Sequence, residues 1–346
     1  MKRFSLAAIA LVASATGVVA QQPQVLAKYN IGGDGGTDYL NVEVATGRVF
    51  ISRSTHVMVV DGATGKVVGD ILDTPRVHGI AFAPGSHHGF TTNAGDSTVT
   101  MFDLGTLAVI KKIATHTGGL DGIMYDDGTD RIILTNHSRP IGTATAINAT
   151  TGEIVGTANL EDTAPEGAAS DGKGRLFVNN EGTNTMQVLD GKTMQVQASW
   201  PIAPCDGPTG IAYDRAHDRI FSGCSGTSVV TDAKRGKVVA QIANGDGVDA
   251  LGWDPTQQLI YIPAGGDGTL TVVHQESADK YRVIATVPTM RGAKTVAVDA
   301  TRHVAYVFTP EYGPAPVPVA GTAPPTGGRA PRGPMIGAWL IVVGVK

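Results

Sequence analysis

Seven segments of this 346-residue chain align without gaps, each placing a polar residue just ahead of a short apolar run. They read GTDYLNVEV, RVHGIAFAP, GLDGIMYDD, APEGAASDG, GPTGIAYDR, GVDALGWDP and GAKTVAVDA. The aligned polar residues are Asp38, His78, Asp121, Glu166, Thr209, Asp249 and Lys294, at intervals of 40 to 45 residues. Self-similarity at such a period marks a repeat architecture, in which each unit buries its apolar face only against its neighbours. The length could accommodate two ordinary domains, but a repeat running nearly end to end argues for one closed structure.

Residues 76–114 show what one unit contains. Val77 to Phe82 is an apolar run, Ala83-Pro84-Gly85-Ser86 is a turn, and His88 to Thr92 is a second run. After a break at Asn93 to Asp96, Thr98 to Phe102 and Leu107 to Ile113 alternate apolar with polar. Short β-branched and aromatic runs bounded by Gly, Pro, Asn and Asp predict four antiparallel strands joined by hairpins. Helical periodicity is absent after the first twenty residues. The expected fold is all-β, a seven-bladed β-propeller of four-stranded antiparallel blades. The last unit supplies only three strands, Lys294 to Asp299, His303 to Phe308 and Ile336 to Val343. The strand-like Val25 to Ile31 has no unit of its own, and pairing it with the last blade closes the ring and removes exposed edges. Between the second and third of those strands, residues 310–334 are rich in Pro and Gly and predict a long loop, either a passive cover or a lid.

The first twenty residues carry Lys2 and Arg3, an apolar stretch from Phe4 to Val12, and Val18-Val19-Ala20 before Gln21. That is the pattern of a signal peptide over 1–20, which places the propeller of residues 21–346 in the periplasm or outside the cell. No other stretch is apolar enough to predict a transmembrane anchor. Net charge is −4 with no strongly basic run, so no nucleic-acid partner is indicated. In an oxidising compartment the two cysteines, Cys205 and Cys224, suggest a disulfide, with a soft metal ligand at Cys224 as the alternative.

Second strands end in Phe90-Thr91-Thr92-Asn93, Ile133-Leu134-Thr135-Asn136 and Phe177-Val178-Asn179-Asn180. First strands are approached through Gly207-Pro208-Thr209-Gly210-Ile211-Ala212 and Arg76-Val77-His78-Gly79-Ile80-Ala81. These landmarks resemble the YVTN-repeat, YncE-like exported propellers, over nearly the whole mature chain. The resemblance implies the fold and leaves the role open, because propellers of this kind serve several unrelated functions. Asp61, Asn148, Asp190 and Asp232 recur before the turn into the fourth strand and are expected to accept local backbone hydrogen bonds there, not to act in chemistry.

In a propeller, first-strand starts and second-strand ends share one face. The second-strand ends are Arg53, Asn93, Asn136, Asn180, Cys224, Ala264 and Thr309. His56, His78, His116 and His137 fall on the same face, whereas His87, His88, His217 and His303 fall opposite and His274 ends a third strand. The candidate ligand-binding set is therefore Asp38, Arg53, His78, Asn93, Asp121, Asn136, His137, Glu166, Asn180, Asp249 and Lys294. His78, Asp121, Glu166 and Asp249 are the candidate metal ligands. Carboxylates with amides suit a divalent ion such as calcium, and His78 with His137 would instead suit zinc or copper. Lys294 or Arg53 could hold an anionic group, and a water-filled hydrogen-bonded network is the third possibility. Two functions follow: binding of a small molecule, metal or protein partner at the channel mouth, or metal-dependent hydrolysis of the lactonase type on a carboxylate/amide ring. A serine-nucleophile elbow, a phosphate loop and a dinucleotide fingerprint are all missing from the sequence.

Overall fold

The computed structural model describes residues 22–316 and 332–345, so the expected signal peptide and most of the Pro-rich loop lie outside the described residues. Every sheet among them has four antiparallel strands. Blade one runs from Leu40–Glu43 to Val67–Ile71, blade two from Val77–Ala83 to Val109–Ala114, and blade three from Leu120–Asp126 to Ile154–Asn159. Blade four runs from Pro165–Ser170 to Val196–Pro201, blade five from Ile211–Asp214 to Lys237–Ala243, and blade six from Gly252–Asp254 to Lys280–Pro288. Blade seven is assembled from both ends of the chain, in the order Gln24–Asn30, Met335–Gly344, Val304–Tyr312, Val296–Asp299. The first strands of successive blades touch in a closed circuit that returns from blade seven to blade one. The protein is a seven-bladed β-propeller closed by its N-terminal strand.

Strand periodicity explains why the second strands read as continuous apolar runs. In Arg131–Asn136, Ile132 and Leu134 pack with Phe90 and Val99 of blade two, while Ile133 packs with Leu176 and Val178 of blade four. Alternate side chains thus face opposite neighbours, and both faces are buried. Each such Ile or Leu contributes about 2 kcal/mol by leaving water, so the core is distributed between blades. The third-strand turns behave as expected: Asp61 accepts from the amides of Ala63 and Thr64 at 3.1 and 2.9 Å, and Asn148, Asp190 and Asp232 repeat the pattern.

Close approach of blades constrains the residue after the polar column. A Cβ on Gly210 would lie 2.3 Å from the carbonyl carbon of Ala250 and 2.4 Å from the amide nitrogen of Leu251, both main chain of blade six. Gly210→Ala is expected to cost about 1.5 kcal/mol, since two blades must part to admit the methyl. Urea unfolding would check this, and a change under about 0.5 kcal/mol, the size of an ordinary surface substitution, would show that the contact is relieved cheaply.

Two expectations change at the last blade. The strands extend beyond Phe308 and before Ile336, with Thr309, Pro310 and Glu311 facing Trp339, Ala338 and Gly337. Residues 310–312 thus belong to the strand Val304–Tyr312, not to a loop, and the expected loop's residues 317–331 lie outside the described residues. Pro310 is tolerated because the neighbouring strand Val296–Asp299 pairs only with Val304 to Val307, leaving its flank without a partner to donate to. Cys205 and Cys224 are joined in a disulfide, with Cα atoms 5.6 Å apart. The Cys224 sulfur is thereby consumed and is not a metal ligand. Among the described residues no helix is long and apolar enough to cross a membrane.

Candidate functional site at the inner-strand starts

In blades two, three and four the polar column sits on β-bulges. Val77 pairs with Asn93 and Ile80 with Thr91, so His78 and Gly79 together oppose Thr92. Asp121 and Gly122 likewise oppose Thr135, and Glu166 and Gly167 oppose Asn179. A bulge re-aims a side chain that a regular strand would turn aside. The opposed residue then grips the next blade. Thr92 accepts from the Gly79 amide at 2.9 Å and donates to the Asp121 carbonyl at 2.6 Å. Thr135 donates to the Glu166 carbonyl at 2.7 Å, and Asn179 to the Gly210 carbonyl at 3.0 Å. Each blade therefore fixes the main chain that carries its neighbour's polar side chain.

The side chains form one chain of contacts. Lys294 bridges two carboxylates, donating to Asp38 Oδ1 at 2.9 Å and pairing closely with Asp249 Oδ2. Asp38 Oδ2 makes a short contact with His78 Nδ1, which lies 3.6 Å from Asp121 Oδ1. The other oxygen of Asp121 is 3.4 Å from His137 Nε2, which is 3.0 Å from Glu166 Oε1. Two groups consequently have metal-ligand spacing, Asp38–His78–Asp121 and Asp121–His137–Glu166, each with donor atoms within 4.8 Å of one another. Beside them opens a cavity of about 880 Å³, lined by Asp38, His78, Asp121, Glu166, Asp249 and Lys294 and also by the exposed Arg76, Arg291 and Arg332.

Burial and crowding set the protonation of this chain. Burial pushes the Glu166 carboxyl up to about 7, with the nearby Asp121 charge adding to the rise and His137 opposing it. Glu166 beside it pushes the His137 imidazole up to about 9 against the opposing effect of burial. Burial also raises Asp121 and Asp249, and Asp38 adds to both. Asp38 itself is lowered, because the His78 hydrogen bond and the Lys294 charge together outweigh its burial. A raised carboxyl costs stability once the unfolded chain would ionise, above its ordinary 4.5. A raised histidine contributes stability that is full below its ordinary 6.5 and is lost as pH climbs through about 9. Both signs agree, so the metal-free protein should lose stability steadily from about pH 5 to pH 9. Urea midpoints in chelator at pH 5, 7 and 9 check this, with Glu166→Gln flattening the lower half; a rising profile would contradict it.

The structure brings some of the expected site residues together and keeps others apart. Asp38, His78, Asp121, His137, Glu166, Asp249 and Lys294 come together, whereas four candidates do not. Asn93, Asn136 and Asn180 are buried within their own blades, with Asn93 donating to Thr98 and Thr100, Asn136 meeting Thr143 and Gly118, and Asn180 donating to Thr185 and Gln187. Period-two alternation explains the miss: Thr92, Thr135 and Asn179, one place earlier, point to the inner strands. Arg53 is buried under the loop that precedes blade one, donating to the carbonyls of Gly32, Gly33 and Gly35. The metal set also changes, since Asp249 is taken by Lys294 while Asp38 and His137 complete the two groups. Thr209 spends its hydroxyl on main-chain carbonyls of Gly223 and Val248. His56 lies 3.6 Å from Asp70, away from the cluster. Tyr39, adjacent to Asp38 in sequence, lines the cavity and was missed because an aromatic beside a strand reads as core.

No known family model matches this chain, and no curated protein sequence does. Solved structures do resemble it. The WD40 repeats of RRP9 superpose with a TM-score of 0.74 at 10% identity, covering 94% of this chain and 100% of that one. A chain of a mitotic checkpoint complex gives 0.71 at 14% identity over 89% and 95%. A chain of hydrazine synthase from Kuenenia stuttgartiensis gives 0.69 at 18% identity over 80% and 93%. At these identities the likeness shows the propeller fold alone.

Proposed function

We propose that this chain is an exported propeller of the YVTN-repeat kind whose channel mouth binds a divalent first-row metal ion and, through it, a small anionic molecule. The observation that carries this is the setting of His137. Its Nε2 is buried and in line with neither neighbouring oxygen for a hydrogen bond, yet lies 3.0 and 3.4 Å from Glu166 and Asp121. Donors about 2.0–2.2 Å from a tetrahedral ion stand roughly 3.3–3.6 Å from one another, so the 3.4 Å contact matches and the 3.0 Å contact needs a small outward shift. One nitrogen with two carboxylate oxygens suits zinc, manganese or iron better than calcium, which takes six to eight oxygens. The amides that would have extended an oxygen set face into the blades, and that also removes half of the ring on which a lactonase-type hydrolase would rest.

An anionic ligand is favoured because Arg76, Arg291 and Arg332 line the cavity around the metal-ligating groups. One structural neighbour is a set of WD40 repeats and another comes from a mitotic checkpoint complex, which is consistent with partner binding as one use of this fold. Export rests on the basic and apolar leader before Gln21. The reading is tested on mature protein purified without chelator. Bound metal is expected by elemental analysis, with a raised melting temperature on adding Mn²⁺ or Zn²⁺ and at least tenfold weaker binding in Glu166→Gln. Protein that is metal-free and insensitive to added metal would overturn it.

A further inference from the structure

We infer that the mouth holds two divalent ions bridged by the carboxylate of Asp121, an inference that rests on the metal-binding reading above. The two candidate ligand groups share Asp121 and nothing else. They use its two oxygens separately: Oδ1 faces His78 Nδ1 at 3.6 Å, and Oδ2 faces His137 Nε2 at 3.4 Å. A carboxylate that offers one oxygen to each of two neighbouring donor sets is placed to span a pair of ions a few ångströms apart, the arrangement of two-metal centres.

The remaining ligands divide evenly. One ion takes Asp38 Oδ2, His78 Nδ1 and Asp121 Oδ1, replacing the short His78–Asp38 hydrogen bond of the metal-free chain as those two side chains part to admit it, and the other takes Asp121 Oδ2, His137 Nε2 and Glu166 Oε1. Lys294 occupies the other oxygen of Asp38 at 2.9 Å and pairs with Asp249, so it orients one ligand and neutralises the carboxylate left over. Three ligand carboxylates against two divalent ions leave one net positive charge. Each ion has only three protein donors, which leaves coordination positions for solvent or ligand, and a cavity of about 880 Å³ is lined by Asp38, His78, Asp121 and Glu166, four of the five ligand residues. A ligand with a carboxylate or phosphate oxygen able to bridge the two ions is the class that fits.

Both groups depend on the bulges of blades two and three, where His78 and Asp121 leave the regular ladder in the same manner. The Thr92 hydroxyl, bonded to the Gly79 amide and the Asp121 carbonyl, ties these two bulges to each other. The separation of the two ligand groups is thereby held by main-chain contacts and not by the side chains alone.

Mn²⁺ serves as the probe, added to the chelator-stripped mature chain and followed by calorimetry and electron paramagnetic resonance. Two equivalents per chain are expected, with an exchange-coupled spectrum at full loading. His78→Ala and His137→Ala should each retain one equivalent and give an uncoupled six-line signal. Asp121→Asn should abolish coupling and weaken both sites at least tenfold. One equivalent in the unmodified protein would overturn the paired site while leaving metal binding intact, and none would overturn both. Two equivalents without coupling would overturn the bridge. The stoichiometry of the unmodified chain decides the matter even where a variant folds poorly, and circular dichroism of each variant identifies those cases.

Discussion

Arg53→Ala is expected to lower the free energy of unfolding by about 4 kcal/mol, the largest single effect foreseen for this chain. The guanidinium is fully buried and has no carboxylate partner within ion-pair distance among the described residues; it donates to the carbonyls of Gly32, Gly33 and Gly35 and lies over the Phe308 ring at 5.0 Å. Removing it leaves three carbonyls on a part-exposed loop without their donor, a modest loss because water can replace it, and opens a void where a large, fully buried side chain stood, which is the larger part of the cost. The loss should also spread to the site. Arg53 clasps the Gly-rich loop between the closing strand Gln24–Asn30 and Asp38, and the Arg53 carbonyl lies 2.1 Å from where a Cβ on Gly35 would stand, a residue held at φ +84°. Arg53→Lys should recover little, because one ammonium cannot reach three carbonyls presented to a planar fork. Guanidinium unfolding measures the effect, and a deficit below about 1.5 kcal/mol, no more than one hydrogen bond is worth, would mean that the loop caps itself without the side chain.

Lys294→Met is expected to cost about 2.5 kcal/mol at pH 7.5. Breaking a buried ion pair by removing one partner typically costs 3–5 kcal/mol, and the figure is discounted because the Lys294 side chain is 37% exposed and so partly screened. Its ammonium holds both Asp38 and Asp249, and the charges of these carboxylates disfavour ionisation of Asp121. Without it, the folded-state pKa of Asp38 moves up, so the penalty is present at neutral pH and fades as acid protonates the carboxylates. Denaturation at pH 7.5 and 4.5 should therefore show a deficit that shrinks at the lower pH. An equal deficit at both would assign the loss to packing. Added Mn²⁺ should narrow the gap at neutral pH.

The fold was legible because its determinants are local and repeated. Turn residues such as Asp61 and Asn148 announce each hairpin, and the inner-strand landmark recurs in all seven units. Closure through Gln24–Asn30 followed from counting strands. The site was legible only where a side chain's direction follows from its own strand. His78, Asp121 and Glu166 qualify, since their column marks the innermost start of each blade. The amide column failed by one residue: Asn93, Asn136 and Asn180 end their strands conspicuously, but alternation turns them into their own blades and points Thr92, Thr135 and Asn179 at the main chain of the next blade. Arg53 was illegible for a different reason, because its partners are backbone atoms about twenty residues away, which leave no mark on side-chain chemistry. The bulges that aim the site residues are register shifts, visible only once strands are paired.

The seventh blade also bears on how the chain comes to be folded. The strand Gln24–Asn30 pairs only with Met335–Gly344, so the first strand to emerge in synthesis waits for the last. Until then blade seven lacks its outermost strand, although the loop after the N-terminal strand can already be held by Arg53 of blade one. Ring closure therefore couples the two ends of the chain, so that loss of either outer strand of blade seven exposes the edge of the other.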